Sequence, residues 1–119
     1  MCPATYRPFS GDTELVPGVR SWSTYGHTPG HTSYVVESQG QKLVLLGDLI
    51  HVAAVQLDHP GVTIQFDNDA KAAAKARAKV FTQLAKDGAI VGASHIQFPG
   101  LGHLRATGKA YQWVYTRMR

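Results

Sequence analysis

Thr24-Tyr25-Gly26-His27-Thr28-Pro29-Gly30-His31-Thr32, followed by Leu45-Leu46-Gly47-Asp48, is the part of the sequence that decides how the chain is read. His27 and His31 are four residues apart, the spacing of one helical face. Pro29-Gly30 lies between them, so the segment is a turn. In a turn the two side chains can take different tasks, one binding metal and the other making a supporting hydrogen bond. For either histidine alone, a hydrogen bond to a backbone carbonyl is the plain alternative. Asp48 directly follows the apolar run Leu43-Val44-Leu45-Leu46 and Gly47, at the end of a strand that reads as buried on both faces. A carboxylate there needs a cation or several donors, because burying it unpaired is costly. A metal ion answers that need, and so does capping of the next turn. His95 repeats the placement after Ala89-Ile90-Val91-Gly92-Ala93-Ser94. Histidine and carboxylate together suit zinc or a similar divalent ion. Strand ends that feed loops are where sites collect in α/β sheets.

Outward from this stretch the chain reads as mixed α and β. Residues 1–17, with three prolines and Gly11-Asp12, read as a lead-in loop. Strands are expected at Val19–Thr24, Ser33–Ser38 and Lys42–Leu46, the last two joined by Gln39-Gly40 as an antiparallel hairpin. Val52–Val55 reads as a helical turn and Val62–Phe66 as a strand. Asp67-Asn68-Asp69 offers N-caps for a helix over residues 69–87. Its apolar stripe is Ala72, Ala76, Val80 and Leu84, joined by Ala73 and Phe81. Lys71, Lys75, Lys79 and Lys86 form its wet face. Gly88 suits the C-terminal cap. Ile90–Ser94 is a further buried strand, Gln97–His103 a loop, and Tyr111–Thr116 a last strand.

The chain has 119 residues, 44% of them hydrophobic, which fits one domain. Twelve Lys and Arg against eight Asp and Glu give a net charge of +4. The basic residues concentrate on the helix and the C-terminus, and no zinc-finger spacing or aromatic–basic ribonucleoprotein motif accompanies them. The excess therefore reads as a solvated face, with no nucleic-acid partner. Cys2 is the lone cysteine and cannot form an intrachain disulfide. No apolar signal core opens the chain, and no run approaches the length of a membrane span, so no membrane partner is expected.

Taken in order, Thr24 to His31, then Gly47-Asp48, then Ser94-His95, the sequence resembles the C-terminal half of the metallo-β-lactamase-fold hydrolases. That family includes glyoxalase II, lactonases and organophosphate hydrolases. The likeness is greatest to the methyl parathion hydrolase and lactonase branch. It rests on Pro8-Phe9-Ser10-Gly11, on Tyr34 to Lys42, on Val52-Ala53-Ala54-Val55-Gln56 and on Phe98 to Ala106. The resemblance implies an αβ/βα sandwich of which residues 1–119 supply one sheet as a partial domain. It implies two divalent metal ions, zinc foremost, and a bridging hydroxide that attacks lactones, aryl esters or organophosphate esters.

The resemblance also assigns roles. His27 is the ligand of the histidine turn and His31 its support. Asp48, the catalytic residue, bridges both ions, and His95 completes the second ion's shell. His51, three residues past Asp48, is expected near the metals, and Ile64 and Phe66 are expected to line the same substrate pocket. Methyl parathion hydrolases resemble this chain with an apolar residue in place of His51, so a histidine there favours lactones or aryl esters over bulky phosphotriesters. His51 as an ordinary loop residue is the alternative. The family's other four ligands belong to an upstream His-x-His-x-Asp-His motif. These residues contain none, and His51, His59 and His103 cannot rebuild it. The expected partners are therefore a small ester or lactone and either the missing N-terminal half or a second copy. A non-catalytic assembly module, pairing through its open sheet face, is the competing reading.

Overall fold

The computed structural model describes residues 5–116. Cys2 and the start of the lead-in segment lie outside them. Seven strands form one sheet in sequence order: β1 (Glu14–Val16), β2 (Val19–Ser23), β3 (Thr32–Ser38), β4 (Gln41–Leu45), β5 (Ile90–Gly92), β6 (Leu101–Thr107) and β7 (Ala110–Tyr115). All neighbours are antiparallel except β4 and β5. The β4–β5 crossover carries a single 3₁₀ turn (Gly47–Leu49), α1 (Ala53–Gln56) and α2 (Ala70–Asp87). β2, β4 and β5 thus run in the same direction, and their C-terminal ends open on one edge of the sheet. His27, Asp48 and His95 each follow one of those ends.

The helix forms where its caps and stripe direct it. The Asp69 side chain accepts a hydrogen bond from the Ala72 N–H at 3.0 Å. Gly88, at φ 66°, closes the other end in the left-handed conformation that favours glycine. The four lysines of the wet face are exposed, whereas Ala73, Arg77, Val80, Phe81 and Leu84 are buried. Val80, Phe81 and Leu84 share one core with Val35, Val44, Val91 and Leu104, and Phe81 meets Tyr111 edge to face at 5.2 Å.

Three expectations give way. Val62–Phe66 is not a strand. The Val62 N–H bonds to His59 O, Asp67 N–H to Ile64 O, and Ile64 N–H to the Asp67 carboxylate. These local turns use the groups that a ladder would need. The loop expected at residues 97–103 ends early, because β6 begins at Leu101 and pairs with both β5 and β7. Its glycine and the preceding Pro99-Gly100 hide the alternation. The lead-in holds β1, a short exposed edge strand.

β4 also departs from burial on both faces. Val44 and Leu46 are buried under α2, but Leu45 is 40% exposed. Cross-strand register lines up Tyr34, Leu45, Gly92 and Leu101 in one row, and Val36, Leu43 and Ile90 in another. These rows form an apolar sheet face opposite the helix.

Candidate metal centre

The histidine turn is docked against the start of α2. Asp69 N–H donates to Gly26 O, and Asn68 N–H donates to His27 O. A Cβ on Gly26 would come within 2.2 Å of the Ala73 backbone nitrogen, and its φ is 147°, so glycine alone lets turn and helix meet this closely. His27 Nδ1–H donates to Asp67 Oδ1 at 3.0 Å. The Asp67 side chain is fully buried and also accepts from Ile64 N–H. With Nδ1 protonated, the lone pair of His27 lies on Nε2, which stands 3.3 Å from Asp48 Oδ2. The other Asp48 oxygen accepts from His95 Nε2–H at 3.0 Å.

His31 has a different task. Its Nε2 accepts the Asp48 backbone N–H at 3.0 Å, so its proton sits on Nδ1. That N–H faces the Thr24 carbonyl at 3.1 Å and the Thr24 hydroxyl at 2.8 Å. Burial pushes the His31 pKa down, which the hydrogen bond to the Thr24 carbonyl only partly opposes. His31 is thus neutral at pH 7 and ties the turn to the main chain of Asp48.

His51 stands beside them. Its ring centroid is 4.6 Å from that of His27 and 4.6 Å, nearly parallel, from that of His95. Burial, then the nearby charges of His27 and His95, hold its pKa below the ordinary imidazole value. Its backbone is fixed from α1, since the His51 and Val52 N–H groups both donate to Gln56 Oε1. Ile64 is half-buried, and its N–H donates to the Asp67 carboxylate. Phe66 is 74% exposed. His59 and His103 lie elsewhere, His103 bonding the carbonyls of Gly88 and Ala89.

The donor set fits a divalent ion. Two ligands about 2.05 Å from a tetrahedral zinc stand about 3.3 Å apart, the separation of His27 Nε2 and Asp48 Oδ2. Asp67 is the residue that sequence reasoning missed, having been taken only as a helix cap. Three capping residues in a row where one suffices were the available signal.

Comparison with known proteins finds relatives that share this fold. The hydrolase AbOPH of the beta-lactamase superfamily superposes with a TM-score of 0.85 at 37% identity, over 89% of this chain and 37% of that one. AidC, a dizinc quorum-quenching lactonase in complex with its product, superposes with a TM-score of 0.86 at 29% identity, over 93% and 38%. An N-acyl homoserine lactonase of Bacillus cereus is 49% identical over 41 residues, 34% of this chain and 16% of that protein. The chain therefore spans well under half the length of these relatives. The model of the metallo-beta-lactamase superfamily matches residues 4–95, through the histidine turn, Asp48 and His95, and the chain belongs to that superfamily.

Proposed function

We propose that these residues carry one side of the metal centre of a hydrolase acting on lactones, aryl esters or organophosphate esters. The observation that carries this reading is Asp48, whose two oxygens face two different histidines, His27 and His95. A carboxylate so placed suits two neighbouring ions, with His27 on one and His95 on the other. Bound divalent ions, zinc foremost, lower the pKa of water and polarise an ester carbonyl. His31 holds the Asp48 backbone and Asp67 aims His27. His51, Ile64 and Phe66 belong to the substrate side. Lactones lead the substrate classes, since the relatives include lactonases.

The remaining ligands come from a His-x-His-x-Asp-His segment upstream, in a longer chain whose other sheet covers the apolar face of Tyr34, Val36, Leu43, Leu45, Ile90 and Leu101. Alone, these residues hydrolyse neither lactones nor phosphotriesters above background. The same apolar face also favours a second reading, in which the chain is an assembly module that pairs through it.

Joining this chain to the N-terminal portion of AbOPH tests the first reading. The chimera is expected to take up two zinc ions and to hydrolyse an N-acyl homoserine lactone or an aryl ester, and Asp48→Ala to abolish both. A chimera that folds but gains no metal, or one whose hydrolysis survives Asp48→Ala, contradicts it.

A further inference from the structure

We propose that His51 is itself a metal ligand, and that His27, Asp48 and His51 together hold one divalent ion of the zinc class without any upstream residue. The inference rests on the reading that His27 and Asp48 face metal, and adds His51 and a one-ion state to it. One ring nitrogen from each histidine and one Asp48 oxygen all lie within 4.8 Å of one another. Ligands of a tetrahedral zinc stand about 3.3 Å apart. The His27–Asp48 edge already has that length, so only the His51 ring has to close in. That ring stands 4.6 Å from the ring of His27 and 4.6 Å from that of His95.

The His51 backbone is held in place before any ion arrives. Gln56 Oε1 accepts from its N–H, and Gln56 Nε2 donates to Val62 O. Arg77 donates to Leu49 O and Val62 O on either side of the segment. Little ordering is therefore needed on binding. His51 Nδ1 is buried and has no hydrogen-bond partner. Such an orphan is uncommon for a buried polar atom and is relieved by a ligand bond. Two imidazoles and one carboxylate make a three-ligand set with an open position, the pattern of a reactive zinc site. His95 approaches the opposite Asp48 oxygen and lies outside this set.

Titrating Co2+ into the whole chain, read by its visible ligand-field absorption, tests the assignment. Zn2+ titration read by the imidazole ¹⁵N shifts of the unmutated chain provides a second readout. One equivalent should bind, with a coordination shift at His51 as well as His27. His51→Gln should weaken Co2+ binding at least about tenfold, and Asp48→Ala should abolish it. Co2+ affinity unchanged in His51→Gln but lost in Asp48→Ala overturns the role of His51 and leaves the reading of His27 and Asp48 standing. Binding that Asp48→Ala does not affect, or no binding at all, overturns both. Should His51→Gln fail to fold, the His51 ¹⁵N shift decides, its absence at metal saturation overturning the proposal.

Discussion

His27 and His31 belong to one turn and point to different partners, and the order of bonds explains why. The buried carboxylate of Asp67 fixes the proton of His27 on Nδ1, while the Asp48 N–H and Thr24 fix that of His31. Pro29-Gly30, which forbids a helix between the two histidines, showed only that their tasks could differ; which takes which came from the family resemblance. Asp67 was not legible, because a residue that works through a neighbour forty positions away leaves no local spacing. Asp67→Asn keeps the shape and removes the charge-assisted bond to His27. Zinc affinity should fall about 10- to 100-fold, the usual effect of losing a partner behind a metal-binding histidine. Isothermal titration reads the loss, and the metal-free chain should also lose about 1–3 kcal/mol, since an amide NH2 cannot accept from Ile64 N–H as the buried carboxylate does. Unchanged zinc affinity would remove Asp67 from the site.

The elements that position the cluster were read unevenly. α2 was legible from Asp69, the lysine spacing and Gly88, whereas β6 was masked by Gly102 and its proximity to Pro99. Arg77 falls in the buried stripe of α2, where sequence alone places an exposed cation. It is 1% exposed, and its guanidinium donates to the carbonyls of Leu49, Pro60 and Val62. Burial lowers its pKa, with the charge of Asp67 opposing the shift. The side chain thus pins the crossover loop bearing His51 against the helix. Arg77→Met leaves those carbonyls short of donors, each such loss costing about 1–3 kcal/mol. A total destabilisation of about 2–4 kcal/mol is expected in urea unfolding, with Arg77→Lys in between. A methionine variant as stable as the wild type would show that the loop is held by other contacts.

Across the whole molecule, one helix covers one sheet face and leaves the other open. The apolar character of β3, β4 and β5 leads the sequence to call for a cover on this face, since these strands lack the alternation of a sheet with one wet face. An uncovered apolar face of this extent is unusual for a soluble monomer. The isolated chain should therefore bind the dye ANS and self-associate in sedimentation, and Leu45→Glu should reduce both. A monodisperse wild-type monomer without dye binding would show that the face is tolerated as it stands.

The central claim is that the turn after β2 and the residue after β4 converge to hold a metal ion. Anomalous diffraction at the zinc edge, from crystals of this chain grown with Zn2+, tests it most directly. The account predicts a peak within bonding distance of both His27 Nε2 and an Asp48 carboxylate oxygen. A well-ordered cluster with no peak there, and zinc bound only elsewhere on the surface, would contradict it.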